Sequence, residues 1–197
     1  DPLYSIIAIE GSINGGGFNC SGSSCSLPLS DGFNRIVAWA VSSYGDTSDM
    51  RSLSVGVDSV GPKINFSVPN PTGENGWHIK PLQVRVSGTD IGSGIARAQI
   101  SLGGQVWEND VLQINRDGRY HVIGLVSDYA GNTARESVWV KMDVTPPEAN
   151  LKISEPDGEN GWFVKPAFIS ISGSDSYSGA KDARILINGE YIPQRDE

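Results

Sequence analysis

The nonapeptide GENGWHIKP at residues 73–81 occurs a second time, as GENGWFVKP at residues 158–166, displaced by 85 positions. The same displacement relates further pairs of residues: Asp58 to Asp143, Pro62 to Pro147, Asp90 to Asp175 and Gly94 to Gly179. Self-similarity at one fixed spacing is the signature of a repeat architecture. We therefore infer a structural unit of about 85 residues that recurs along the chain.

This spacing predicts how the chain divides into domains. Residues 60–146 form one complete copy of the unit, residues 1–59 match the C-terminal half of a copy, and residues 147–197 match the N-terminal half of another. The copies are joined by DSVGP at residues 58–62 and by DVTPP at residues 143–147. Because proline fixes φ and restricts the residue before it, we expect both junctions to be short, stiff linkers.

Inside the complete copy, apolar and polar residues alternate with a period of two, as they do in half-buried strands. The alternation is clearest at residues 82–87, 98–102 and 138–142, and no stretch has a helical pattern. About six or seven short strands per unit predict an all-β fold of tandem antiparallel β-sandwiches, one complete module between two partial ones. We expect these side chains between the two sheets: Val84, Val86, Ile100, Leu112, Val122, Val126 and Val140.

Five motifs follow one another from the complete copy into the second junction. They are Gly-Trp-x-x-x-Pro (76–81), Gly-x-Asp-x-x-Ser-Gly (88–94), Asp-Gly-x-Tyr (117–120), Asp-x-Ala-Gly-Asn (128–132) and Asp-x-Thr-Pro-Pro (143–147). Their succession resembles the bacterial immunoglobulin-like tandem repeat domains of large cell-surface and secreted proteins. The resemblance covers all three segments, although residues 43–46 (SYGD) stand where the first segment would carry Asp-x-Ala-Gly-Asn. It implies Ig-like sandwiches that act as spacers, stalks or adhesion units.

Charge and hydropathy exclude two classes of partner. The 197 residues carry 23 acidic and 15 basic side chains, a net charge of −8. Neutralising the phosphates of a nucleic acid needs clustered Lys and Arg, so we expect no nucleic-acid partner, and an anionic membrane surface is disfavoured for the same reason. The longest apolar stretch is residues 36–41, far below the roughly 20 residues of a membrane-spanning helix, so we expect no membrane insertion.

The two cysteines, Cys20 and Cys25, are five residues apart. Two cysteines without a nearby histidine cannot complete a structural zinc site, which needs about four ligands. The spacing allows a disulfide, and we predict one that closes a hairpin loop in the first segment. A disulfide indicates an oxidising compartment, so we expect the protein to be extracellular, at the cell surface.

Catalysis has little support in the sequence. The histidines are His78 and His121, and the repeat has Phe163 where His78 stands, so a general base would be lost between copies. No nucleophile elbow, phosphate loop or zinc-protease motif is present. A Ser-His-Asp site built from distant residues stays open, but we expect a protein that is not an enzyme.

Acidic and amide residues recur where turns are expected, at Asp90, Asp128, Asn132, Asp143 and Asp175. Calcium takes about six to eight oxygen ligands, so loops at a module junction can hold it. The alternative is that these side chains accept backbone N–H groups and fix tight turns. Turn formation alone explains Asp-x-Ala-Gly-Asn, so we favour the turn interpretation and expect no cofactor. Calcium binding is the alternative interpretation.

The repeated tryptophans, Trp77 and Trp162, allow two interpretations. An indole can stack on a sugar ring, which makes both residues candidate ligand-binding side chains. The alternative is that each indole covers the end of its own sandwich, a contact that buries about 150–250 Å². Recurrence at the same place in each unit favours this structural role.

Together with the family resemblance, these patterns predict a non-catalytic extracellular spacer or adhesion module of a bacterial surface protein. The alternatives are a glycan- or protein-binding module and an accessory domain of a surface hydrolase. The expected partners are other copies of the module or chain, or surface glycans or proteins. The two partial modules carry complementary strands, so copies could complete each other head to tail in a filament. The simpler and favoured explanation is that the chain is one window of a longer array.

Overall fold

The structure, a computed structural model, describes residues 5–192. Within these residues the regular structure consists of strands and two short 3-10 turns, Glu74–Gly76 and Glu159–Gly161. None of its helices is long and apolar enough to cross a membrane. The strands are β1 (Ile6–Ile13), β2 (Gly16–Ser21), β3 (Gly32–Ser42), β4 (Arg51–Val57), β5 (Lys63–Ser67), β6 (Trp77–His78), β7 (Leu82–Thr89), β8 (Ile95–Leu102), β9 (Gln105–Trp107), β10 (Val111–Ile114), β11 (Gly118–Asp128), β12 (Thr133–Met142), β13 (Glu148–Ile153), β14 (Ile169–Ser174), β15 (Ile185–Ile187) and β16 (Glu190–Ile192).

These strands form three larger sheets and two two-stranded sheets. The strand orders are β2-β1-β3-β4, β10-β7-β5, β6-β12-β11-β8-β9, β13-β14 and β15-β16. β1 pairs antiparallel with β2 and β3, β3 with β4, and β8 with β9, whereas the short β6 runs parallel to β12. The predicted all-β class, built of antiparallel sheets, is confirmed.

The chain separates into two compact units. The first contains residues 5–66, 85–110 and 123–137, and the second contains residues 67–84, 111–122 and 138–192. The module boundaries that the repeat places after residues 59 and 146 stay a prediction. The outermost residues of the two partial modules, 1–4 and 193–197, lie outside the described residues.

In the first unit, buried apolar side chains come from two different sheets. Ile64 in β5 and Val86 in β7 belong to one sheet, and Ile100 in β8 and Val126 in β11 belong to the other. Gly124 in β11 shows how closely these strands approach, since a Cβ atom there would lie 2.7 Å from Val86 Cγ2. The first unit therefore contains the face-to-face sheet packing of a β-sandwich.

The second unit has its own buried apolar side chains, namely Trp77, Leu82, Val84, Ile114, Val122, Val140 and Met142. Across the two units, every predicted core side chain is buried except Leu112, which is half-buried. Its strand β10 is an edge strand of its sheet, so fewer neighbours cover it. Ile114, two residues along the same strand face, occupies the core position instead.

The repeated nonapeptides adopt the same local backbone. Each contains one of the 3-10 turns, and Asn75 and Asn160 within them both have a φ of 52°. Asparagine adopts this left-handed conformation more readily than most side chains do. Identical sequence has therefore produced an identical turn at the two positions, with Trp77 or Trp162 directly after it.

Candidate functional site

The first linker, residues 58–62, is bound to the turn that precedes β3. Asp31 Oδ1 accepts a hydrogen bond from the Ser59 backbone N–H at 2.9 Å, and Asp31 Oδ2 accepts one from the Ser59 hydroxyl at 3.0 Å. The two residues are 28 positions apart in the sequence. This contact ties the linker to the sheet that comes before it.

The same linker is bound to the loop that follows β7. Asp58 Oδ2 accepts the backbone N–H of Ser93 at 2.7 Å, and its Oδ1 accepts that of Val60 at 3.2 Å. The Asn132 amide donates to the Asp58 carbonyl at 3.1 Å. The first linker is thus held on both sides by hydrogen bonds to groups distant in sequence.

The second linker, residues 143–147, has corresponding contacts, although its N–H and hydroxyl donors come from two residues instead of one. Asp117 Oδ1 accepts the Val144 N–H at 2.6 Å, and Asp117 Oδ2 accepts the Thr145 hydroxyl. Asp143 Oδ2 accepts the Ser178 N–H at 2.8 Å. Each set of contacts lies inside one compact unit. We call the two carboxylate pairs the linker clamps: Asp31 with Asp58, and Asp117 with Asp143.

A polar side chain fixes the turn that presents the first carboxylate of each clamp. The Tyr120 hydroxyl donates to the Arg116 carbonyl at 2.8 Å, and burial raises the pKa of Tyr120. In the first segment the Asn34 amide, buried at 2% exposure, donates to the Ser30 carbonyl at 2.7 Å. Ser30 and Arg116 each stand immediately before a clamp aspartate. Different side chains therefore anchor the same backbone position.

Asp31, Asp117, Ser93 and Ser178 are not among the sequence-predicted site residues. The Asp-Gly pairs at residues 31–32 and 117–118 indicate turns, and nothing local reveals that their carboxylates reach a linker. One signal in the sequence could have indicated the contact. Each Asp-Gly pair stands at the start of the first of two long consecutive strands (β3 and β4, or β11 and β12), and an aspartate follows the second strand at the start of the linker.

Hydrogen bonding stabilises the charged form of several junction carboxylates. The hydroxyl and backbone N–H of Ser93 hold the pKa of Asp58 below its ordinary value. The Thr145 hydroxyl and the Val144 N–H lower the pKa of Asp117 in the same way. Donors lower a carboxyl pKa because they bind the anion better than the neutral acid. Asp58 and Asp117 are therefore charged acceptors at neutral pH.

Three of the acids lie together at the first junction. One carboxylate oxygen from each of Asp58, Asp90 and Asp128 lies within 4.8 Å of the others. Backbone N–H groups already donate hydrogen bonds to these carboxylates. The Gly94 N–H donates to Asp90 Oδ1 at 2.8 Å, and the Gly131 N–H donates to Asp128 Oδ1 at 2.7 Å. These are the hydrogen bonds of the turn interpretation. The calcium interpretation, to which Asp58 would add an oxygen, stays a prediction.

The Asn132 side chain acts as a donor in this group. Its amide nitrogen lies 2.9 Å from Asp128 Oδ2, and its backbone N–H donates to Asp128 Oδ1 at 2.8 Å. A calcium ion would need the amide oxygen instead. Asn132 therefore contributes here by closing the turn and by reaching the linker.

The other two predicted ligands, Asp143 and Asp175, lie at the second junction. Asp175 Oδ1 accepts the backbone N–H of Gly179 at 2.8 Å and of Tyr177 at 3.0 Å. The Gly179 N–H, and then that of Tyr177, lower the pKa of Asp175. Within residues 5–192 a group of three acids close enough to share an ion occurs only at the first junction. Asp143 works as part of the second linker clamp.

The two repeated tryptophans have very different surroundings. Trp77 is 7% exposed, and the Arg119 guanidinium and Lys141 Nζ lie 5.6 and 5.8 Å from its ring centroid. A ring covered in this way offers no face to a sugar, so Trp77 packs within its own part of the chain. Trp162 is 74% exposed and is the one of the pair that presents its ring to solvent.

The histidines occupy two unlike positions. His78 is buried, and burial lowers the pKa of its imidazole because the charged form loses hydration. Its carbonyl accepts the Asp143 N–H at 2.9 Å. His121 instead stacks on Trp139 at the protein surface.

The predicted disulfide between Cys20 and Cys25 is present. Its position differs from the expected hairpin loop. Cys20 lies in β2, and Cys25 lies in the irregular segment after that strand, whereas the hairpin turn between β1 and β2 is at Asn14 and Gly15. The bridge therefore ties the end of an edge strand to the loop that leaves it.

Two solved structures are distantly similar to this chain. No family model and no curated protein matches the chain. The fibronectin(III)-like modules of Clostridium thermocellum CbhA match with 16% identity and a TM-score of 0.34, over 71% of this chain and 80% of that one. A Bacteroides ovatus protein of a mixed-linkage glucan utilization locus, SGBP-B in complex with a heptasaccharide, matches with 12% identity and a TM-score of 0.22, over 96% of this chain and 58% of that one. At these TM-scores neither likeness carries the fold or the function of this chain, and the β-sandwich assignment rests on its own sheets.

Proposed function

We propose that this chain is a non-catalytic spacer of a bacterial cell-surface protein, in which β-sandwich modules follow one another in fixed orientation. The observation that carries the proposal is the pair of linker clamps. Both linkers have a carboxylate contact to the sheet before them and another to the loop after them, at equivalent residues. An extracellular location is part of the proposal, and the Cys20–Cys25 disulfide supports it.

The clamps act by removing freedom from the linkers. Each fixed backbone residue gives up about 1–2 kcal/mol of conformational entropy, which short linkers must offset with contacts. Hydrogen bonds to a charged acceptor are about twice as strong as those between neutral groups. Proline at each linker reduces the number of states to be fixed. A stiff connection follows, and stiffness is what a spacer or stalk needs.

Hydrogen–deuterium exchange of the linker amides tests this mechanism. We expect the Ser59 and Val144 amides to be protected, and Asp31→Ala or Asp117→Ala to speed exchange at the corresponding linker about tenfold, the effect of losing one charge-assisted hydrogen bond. Asp157→Ala is the matched control, because Asp157 accepts the Val164 N–H at 2.9 Å away from either linker. Fast exchange of both linker amides in the unsubstituted chain would contradict the proposal.

A second candidate function, assembly of copies into a filament, rests on a different observation. Val84 is fully buried, whereas Ile169, its equivalent in the third segment, is 41% exposed. In the complete copy β12 runs beside β6, and the first segment carries the strand that corresponds to β12, namely β4. A second copy that placed β4 over the exposed face would bury it and extend the assembly head to tail.

Sedimentation velocity at increasing protein concentration tests the assembly. We expect growing oligomers that Ile169→Lys abolishes and Ser170→Lys, on the opposite face of β14, does not. A monomer at every concentration would remove this candidate and leave the spacer proposal intact.

Two other roles are alternatives to the spacer. Binding of glycans or proteins through the exposed Trp162 would be detected on a glycan array and lost in Trp162→Ser. An accessory role beside a surface hydrolase would place the catalytic activity outside these residues, so the isolated chain would bind or position without turnover.

A further inference from the structure

An exposed aromatic pair lies on the outer face of β11 and β12. The rings of His121 and Trp139 stack with centroids 4.6 Å apart and planes inclined by 19°. Trp139 is 66% exposed, so folding buries little of its large apolar area. Stacking on His121 restricts the orientation of the indole. The imidazole covers one face of the indole, and this stacked pair, the aromatic platform, lies outside the buried core.

Two cations flank the platform. Arg119 and Lys141 are each two residues from a member of the stacked pair along its strand, so they share its face. Both approach the Trp77 ring, at 5.6 and 5.8 Å. Lys141 Nζ donates to the Asn75 carbonyl at 2.8 Å, but no carboxylate among residues 5–192 forms an ion pair with either cation. Two neighbouring like charges on a sheet are mutually unfavourable, and an anion between them would offset this.

We call Arg119, His121, Trp139 and Lys141 the Trp139 surface. The repeat shows that this surface is not part of the module framework. At the corresponding positions the first segment has paired residues of different chemistry, Phe33 opposite Gly56 and Arg35 opposite Ser54. A sheet of the same pattern thus forms without the aromatic pair and without the two flanking cations. The four side chains are an addition to the complete copy.

We propose that the Trp139 surface binds an acidic polysaccharide. The indole would lie under the apolar C–H face of a pyranose ring, and Arg119 with Lys141 would bind the carboxylate of a uronic acid. Arginine suits this task because its planar group binds a carboxylate through two parallel hydrogen bonds. A neutral sugar would leave both cations unpaired. A nucleic acid would need clustered Lys and Arg to neutralise successive phosphates, whereas this surface supplies one Arg and one Lys, enough for a single carboxylate.

Calorimetric titration with short oligomers of galacturonate, alginate and hyaluronan tests the inference, with methyl-esterified oligogalacturonate as the uncharged counterpart. We expect at least one free acid to bind. Trp139→Ser, which installs the residue of the first segment, weakens that binding about tenfold by removing the stacking contact. The double variant Arg119→Gln/Lys141→Gln abolishes the preference for the free acid over the ester. Phe168→Ser, which removes another exposed aromatic ring, leaves binding unchanged.

Several outcomes would overturn the inference. The first is no binding to any of the acids, and the second is equal affinity for the acid and the ester. The third is an unchanged affinity in a Trp139→Ser variant that retains its melting temperature. The fourth is stronger binding of a single-stranded DNA of equal charge at the same salt concentration. The inference goes beyond the spacer role, because a stiff spacer with no ligand would still show protected linker amides.

Discussion

Asp143 Oδ2 lies 2.8 Å from the backbone nitrogen of Ser178, and Asp58 Oδ2 lies 2.7 Å from that of Ser93. Each pair spans 35 residues. One long-range contact thus recurs at both linkers, each time between the residue that begins the linker and a loop beyond it. The repetition indicates that this hydrogen bond is a regular structural feature of the junction between copies.

Truncating a buried core residue should lower the stability far more than truncating an exposed residue of the other sheet. Ile100 is fully buried, so Ile100→Ala should lower the free energy of unfolding by about 2–5 kcal/mol. The Arg85 side chain is 53% exposed and pairs with Asp110 at 2.8 Å, so Arg85→Ala should cost about 0–1 kcal/mol. Chemical denaturation measures both, and equal losses would show that the strand register is wrong.

The strands and most of the core could be predicted because a strand with one buried face alternates apolar and polar residues, and this pattern is visible within a few consecutive residues. β7 and β8 could be predicted in this way, and the edge position of β10 left the predicted core residue Leu112 half-buried. The linker clamps could not be predicted, since the Asp31–Ser59 contact depends on where β3 and β4 place residues 28 positions apart. The surroundings of the Trp77 ring could not be predicted either, because they include Arg119 and Lys141, which come from other strands.

Acid should weaken the junctions. The pKa values of Asp58, Asp117 and Asp175 are lower in the folded chain than their ordinary values. Their contribution to stability is therefore fully present above the unfolded pKa of about 3.9 and is lost as the pH falls through the folded values. Thermal unfolding between pH 7 and pH 2 should show this decline below about pH 4. Asp117→Asn should flatten the decline, and Asp49→Asn, at an exposed position before β4, should not. Identical curves for the two variants would argue against a charged Asp117.

Calcium removal distinguishes the turn interpretation from the calcium interpretation of Asp58, Asp90 and Asp128. Backbone donors already occupy Asp90, Asp128 and Asp58, so we expect the melting temperature to be the same in excess EDTA and in calcium. A ligand bound only by the folded state raises the melting temperature by mass action. A drop in EDTA that calcium reverses, and that Asp90→Asn removes, would establish the metal site instead.

The Cys20–Cys25 disulfide should be dispensable for folding. The loop it closes is short, so in the chain-entropy model its removal costs about 2 kcal/mol or less. Thiol titration of the unfolded, unreduced protein should find no free thiol, and reduction should lower the melting temperature without unfolding the chain at room temperature. Two titratable thiols before reduction would remove the argument for an oxidising compartment.

The central claim, that the linkers are stiff, is tested most directly by pulsed electron paramagnetic resonance between two spin labels. The labels would be carried by non-canonical residues at the exposed positions Arg51 in β4 and Arg97 in β8, which lie on either side of the first linker within one compact unit, leaving the disulfide intact. We predict a single narrow distance distribution that broadens in the double variant Asp31→Ala/Asp58→Ala and is unchanged in Asp157→Ala. A broad distribution in the unsubstituted chain would contradict the account.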